Sequence, residues 1–180
     1  MIFEPFERFL AAEFQVKYAT EAWERRAAAR LRRQVFCIEQ RIFSGDDRDA
    51  VDDVAIPLVA LSLMGVAAND VVGTVRIHEA EAGVWWGSRL AVDSDYRRVG
   101  ALGATLIRLA VCSAHARGCR RFLAHVQSRN EALFHRLAWR TLGHVDLHGH
   151  RHAHMEADLA HYPPFSAVET GLHTLARRAA

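Results

Sequence analysis

Two arginines and two glycines ahead of a long apolar-faced stretch carry the clearest chemistry in the chain. In "DYRRVGALGATLIRLAVCSAHARG", Arg97 and Arg98 lead into a turn with Gly100 and Gly103. Glycine lets backbone N–H groups come close to an anion, and the helix that follows adds the positive end of its dipole. Guanidinium groups bind phosphate through paired hydrogen bonds. Together these features fit a phosphate-bearing ligand, with a plain surface turn as the alternative. The candidate contacts are Arg97, Arg98, Val99, Gly100, Ala101, Leu102, Gly103 and Ala104.

The series His148, His150, His152 and His154 is the rival signal. Spaced by two on one strand, the four would share a face and could hold zinc, nickel or copper. Gly149 puts a turn into the series and splits it, so no metal site is expected and the histidines read as structural or substrate-contacting. A histidine-rich metal-binding module is the alternative from outside enzymology. The acidic run Asp46, Asp47, Asp49, Asp52 and Asp53 reads as a solvated loop, with attraction of a cationic amine as its functional alternative. Cys37, Cys112 and Cys119 have no metal spacing, and none stands in a nucleophile-like setting.

The elements that must position these groups follow from periodicity. Phe14 to Thr20 alternates and reads as a strand; Glu21 to Gln40 reads as a helix with Thr20 as its N-cap. "AIPLVALSLMG" and "DVVGTVRIHEAE" read as strands parted by "VAAND", a hairpin. "GVWWGSRLAVD" is a fourth strand in which Gly87 marks a bulge or a close approach to the backbone. Trp85 and Trp86 take opposite faces there, one for the core and one free to wall a pocket. The helix after the glycine turn ends at Gly118. A strand over "RRFLAHVQ" and a short helix over "NEALFHRLAWRTLG", closed by Gly143, come next. A strand pair about Gly149 follows, and "SAVETGLHTLARRA" reads as a terminal amphipathic helix and a candidate dimer surface.

At 180 residues, 51% hydrophobic and 24% charged, the chain has the composition of one globular domain. A net charge of +2 is far from that of most nucleic-acid binders, and no apolar run is long enough to span a bilayer. Neither nucleic acid nor membrane is an expected partner. An uncleaved start and unpaired cysteines fit a cytoplasmic protein.

The order β-α-(α)-β-β-β-α-β-α-β-β resembles the GNAT (GCN5-related N-acetyltransferase) superfamily over Phe14 to Pro163. "LAVDSDYRRVG" is similar to the family's fourth strand and pyrophosphate loop, and "FLAHVQSRN" to its fifth strand and pantetheine-contacting asparagine. "LFHRLAWRTLGH" and "LRRQVFCIEQRIFSGDDRDAVDD" are similar to later and earlier family segments. The resemblance implies an α/β (α+β) fold with a mixed, mostly antiparallel sheet of about seven strands and helices on both faces. It implies a single domain over 1–180, with its core at about 14–163 and an extension over 164–180.

By the same resemblance acetyl-CoA is the co-substrate and an amine of a small molecule the acceptor, joined by direct attack in a ternary complex. The edge Leu90, Ala91 and Val92 would take the pantetheine arm, with Asn130 and Phe134 beside it. Phe134 stands where many members place a proton-donating tyrosine, which leaves His135 as a substitute. The fourth strand carries no Glu; Glu39 and His78 are the bases to consider, ahead of Glu79 and Glu81. Longer acyl-CoA donors, an acyl-homoserine-lactone-like transfer and a catalytically silent coenzyme A binder are the alternatives.

Overall fold

Alternation along one strand decides which side each helix takes. In β2 (Ile56–Met64), Leu58 and Ala60 share a buried cluster with Leu106, Leu109 and Ala110 of α2 (Leu102–Ala116). Val59, Leu61 and Leu63 share another with Ala27, Ala28 and Leu31 of α1 (Ala22–Arg33). Neighbouring strand residues point to opposite faces, so the helices cover opposite sides of one sheet. The computed structural model describes residues 10–98 and 101–176.

The remaining elements are β1 (Glu13–Tyr18), β3 (Ala67–Glu81), β4 (Val84–Val92), β5 (Arg121–Gln127), α3 (Glu131–Arg136), β6 (Trp139–Leu147), β7 (His150–Ala157) and β8 (Leu172–Leu175). They form a sheet in the order β6-β7-β5-β4-β3-β2-β1-β8. Among the described residues only β4 and β5 run parallel, and every other pair is antiparallel. This is the mixed, mostly antiparallel sheet the resemblance implies, with eight described strands where about seven are expected. Among the described residues, no helix is long and apolar enough to cross a membrane.

Four local expectations are corrected. Glu21, not Thr20, caps α1, in a reciprocal capping arrangement with Glu24, while the Thr20 hydroxyl accepts a bond from Lys17 at 2.8 Å. The helical stretch also changes form: Gln34–Glu39 is a π-helical turn in which the Gln40 N–H reaches back to the Val35 carbonyl. The helix over "NEALFHR" stops at Arg136, Ala138 adopts φ +60, and Gly143 lies inside β6. The expected terminal helix is a strand, β8, up to the last described residues, and Arg177 to Ala180 lie outside them. Gly171 explains why the chain can dock there. Its φ is +69, and a Cβ would fall 1.9 Å from the Val16 carbonyl oxygen.

One buried ion pair ties α1 to β1. Lys17 Nζ sits 2.8 Å from Glu24 Oε1, with side chains only 9% and 2% exposed. Glu24→Gln should leave the ammonium without its counter-charge and lower the unfolding free energy by about 3–5 kcal/mol in urea titrations. A loss below about 1 kcal/mol, typical of exposed pairs, would show that the pair is not holding the helix.

Candidate active site

The site begins with one residue too many. Between the pairs Arg76↔Ser88 and Thr74↔Ala91, β3 advances two residues and β4 three. Arg89 lies in this bulge with φ +56, a conformation that only surrounding contacts can impose on a side-chain-bearing residue. The sequence marks Gly87 instead. That glycine answers to close approach, since a Cβ there would stand 3.0 Å from the Phe122 ring.

Charge pairs supply the constraint. The Arg89 guanidinium donates to the Asp47 carbonyl at 2.9 Å and to Asp49 at 3.0 Å, and lies 4.4 Å over the Phe43 ring. Arg32 bridges Asp47 at 2.7 Å and Asp52 at 2.6 Å. Arg76 donates to both oxygens of Asp49, at 2.7 and 2.8 Å, and to Ser88 Oγ at 2.9 Å. Asp47 is 3% exposed, so the acidic run is not simply a solvated loop; part of it is folded onto three arginines.

The carboxylates respond accordingly. Hydrogen bonds from Arg76 hold Asp49 below its ordinary pKa. Burial alone would raise Asp52, but bonds from Arg32, the Asp49 N–H and Arg76 outweigh it and leave Asp52 well below the carboxylate range. Burial, with Arg76 nearby, pulls Arg89 down from its ordinary value.

Beyond the bulge the sheet opens. The β4–β5 ladder runs from Val84↔Arg121 to Gly87↔Ala124 and ends there, although both strands continue. A cavity of about 250 Å³ occupies the parting. Trp86, His125 and His152 wall it on the α1 face, with Phe36, Gln40 and Phe43 from the segment after α1; Ile107, Phe122, Phe134 and Trp139 wall it on the α2 face. The cavity thus has walls on both faces of the sheet. No described Asp or Glu lines it.

The candidates drawn from sequence fall in several places. Leu90, Asn130 and Phe134 line the cavity, and Asn130 holds the N-cap position of α3 without a side-chain capping bond. Ala91 is buried toward α1. Arg97 donates to the Val92 carbonyl at 2.9 Å and pairs with Glu39 at 2.6 Å; Arg98 is exposed. Ala101 caps α2 without a side-chain bond, Leu102 is fully buried, and Gly103 and Ala104 lie half-buried in the first turn, which carries no acid. Val99 and Gly100 lie outside the described residues.

Neither Glu39, His78 nor His135 is a wall of the cavity. His78 pairs with Trp86 across the ladder, and burial lowers its pKa. His135 turns outward, bonded to the Trp139 carbonyl at 3.0 Å and near Glu131. Gln40, His125 and Arg129 line the cavity without having been singled out in the sequence. Strand alternation in "RFLAHVQ" does put His125 and Gln127 on one face, and Gln127 donates to Gln40 at 2.9 Å. Trp86 stacks on His154 at 5.5 Å and 9°, and His125 is 4.9 Å from its ring. Among the described residues, no group of three or more His, Cys, Asp or Glu is arranged to hold a metal ion.

A profile of the acetyltransferase (GNAT) family matches residues 33–143, more than half of the chain. A Lactobacillus plantarum protein assigned as an N-acetyltransferase superposes with a TM-score of 0.70, at 22% identity over 80% of this chain and 97% of that one. Escherichia coli ElaA gives 0.66 at 17% identity, over 82% and 99%. The CoA-dependent acyl-homoserine lactone synthase BjaI, solved with SAM and isopentyl-CoA, gives 0.64 at 19% identity, over 84% and 86%. No curated protein matches the chain.

The arginine–aspartate cluster makes a pH-dependent prediction. Arg76→Met should cost about 2–4 kcal/mol at neutral pH, below the full value of a buried pair because Asp49 is partly solvated. Asp49 and Asp52 have folded pKa values below their unfolded ones. Their contribution is therefore present above the unfolded value of about 3.9 and fades as pH falls through the folded values. Parent and variant should differ fully at pH 7 and converge below about pH 4 in urea titrations. A gap that stayed constant into acid would refute this account.

Proposed function

Because the chain belongs to the GNAT family of acetyltransferases, N-acyltransferases that draw on acyl-CoA, we propose that it transfers acetyl from acetyl-CoA to the amine of a small molecule by direct attack. The observation that carries this reading is the cavity at the β4–β5 parting, walled by residues from both faces of the sheet. Such a parting offers an open strand edge beside an enclosed space, where two reactants could be held together as transfer in a ternary complex requires.

In this reading the pyrophosphate lies against Arg97, Arg98 and the amides of Val99 to Ala104, where α2 begins. The pantetheine arm follows Leu90, Ala91 and Val92 along the strand edge that β5 leaves open, past Asn130 and Phe134. A backbone N–H beside the bulge would hold the thioester carbonyl and stabilise its developing charge. Phe134 has no proton to give, so coenzyme A leaves as the thiolate or takes its proton from elsewhere. A covalent acyl-enzyme is disfavoured. None of the three cysteines lines the cavity, and burial raises all three thiol pKa values, Cys119 to about 11. The free cysteines also suit the proposed cytoplasmic setting.

The walls speak to the acceptor. With Arg89 and Arg129 among them and no described carboxylate, the cavity favours an amine without a second positive charge. A second reading keeps the chemistry and lengthens the donor. BjaI was solved with isopentyl-CoA, and the α2 side of this cavity is apolar, with Ile107, Ala110, Phe122 and Trp139. A thermal-shift series from acetyl-CoA to branched and longer acyl-CoA separates the two, since the preferred donor should raise Tm most.

Acetyl-CoA should stabilise the protein, and Arg97→Ala should weaken its binding by about ten- to a hundredfold, the value of one charge-assisted bond. The loss should fall on KM rather than kcat, because the pyrophosphate is remote from the transferred group. A protein indifferent to millimolar-range coenzyme A would remove the acyltransferase reading.

A further inference from the structure

The cavity has no carboxylate on its described walls, and the three acid–base candidates drawn from sequence lie off it. What it does have is imidazole. His152 is 8% exposed, lies on β7 opposite Gln127 of β5, and contributes to the cavity wall. Its Nδ1 is 2.8 Å from the His150 carbonyl oxygen. A carbonyl can only accept, so Nδ1 carries a proton and, in the neutral ring, Nε2 has the lone pair.

The remaining charged and titratable groups about it leave that lone pair unclaimed by any acid. His148 comes from the β6–β7 turn, His125 from β5 and His154 from β7; Arg129 follows β5 and Arg89 comes from β4. Partial burial and the two neighbouring imidazoles hold His125 below the ordinary histidine pKa. No described Asp or Glu of α1, the loop after it, β4, β5 or β7 lines the cavity.

We propose that His152 is a catalytic residue, the proton acceptor for the attacking amine. This assignment rests on the acyltransferase reading above and names its base. The acceptor nitrogen adds to the thioester carbon, a C–N bond forms, and the C–S bond breaks as coenzyme A leaves as the thiolate. The proton shed by the nitrogen moves to His152 Nε2, and from there to the thiolate or to solvent. His150 supplies only a carbonyl, a positioning role that fixes the tautomer.

The test uses the full chain, acetyl-CoA and a panel of small primary amines, with released thiol as the signal. His152→Asn retains an N–H able to reach the His150 carbonyl but removes the base. It should lower kcat toward the best alkylamine by about a hundredfold or more, the range of general base catalysis. Acetyl-CoA KM should stay near the parent value, and the surviving rate should climb with pH where the parent levels off.

Parental rates and an unchanged pH profile in the variant would overturn the assignment while leaving the acyltransferase reading intact. A parent that binds acetyl-CoA but transfers to no acceptor would overturn that reading and the assignment with it. Nitrogen NMR of the parent imidazoles gives an answer that needs no variant: in its neutral form His152 should be protonated at Nδ1 and bare at Nε2. The opposite tautomer would rule it out as the base.

Discussion

Everything at the site depends on holding Arg89 in a backbone conformation it would not choose. A bulge alone would relax if its extra residue could return to an extended form. Here the guanidinium is fixed to Asp47 and Asp49 and lies over Phe43, so the side chain locks the backbone that carries it. The same aspartates bind Arg32 from α1 and Arg76 from β3. One cluster thus joins a helix, a loop and two strands at the point where β4 begins to leave β5. The parting of the strands and the cavity within it follow from that anchorage.

Much of this architecture was legible in the sequence, because short-range rules write it. Alternation marks β1, β-rich runs parted by turn residues mark β2 and β3, Gly118 marks the end of α2, and the arginine–glycine stretch marks the loop before it. Features that depend on a distant partner were not legible. The extra residue of β4 appears only against β3, since a bulge is a mismatch between two strands rather than a property of one. Likewise "GLHTL" has the composition of a helix edge, and becomes a strand because β1 offers an edge and Gly171 clears the Val16 carbonyl. The π-helical turn after α1 escaped for a similar reason, for nothing in "QVFCIE" announces a five-residue hydrogen bond.

The site residues divide along the same line. Leu90, Asn130 and Phe134 were readable from local motifs and do line the cavity. Glu39 and His78 have the chemistry of a base, but nothing in their local sequence says what faces them. Glu39 faces Arg97, and His78 is half-buried beside Arg76. The acidic loop misleads most. Read as a string it looks like a solvated loop, yet much of its charge is spent within the fold.

The pair between Glu39 and Arg97 joins the two halves of the cleft. Glu39 closes the π-helical turn that bears Phe36, and the next residue, Gln40, reaches Gln127 on β5. Arg97, meanwhile, heads the loop before α2. Whatever competes with Glu39 for that guanidinium also acts on the segment walling the opposite face. The pair is partly exposed, so it is a soft link rather than a rigid one: it ties the segment that bears Phe36 and Gln40 to the loop before α2 without locking either.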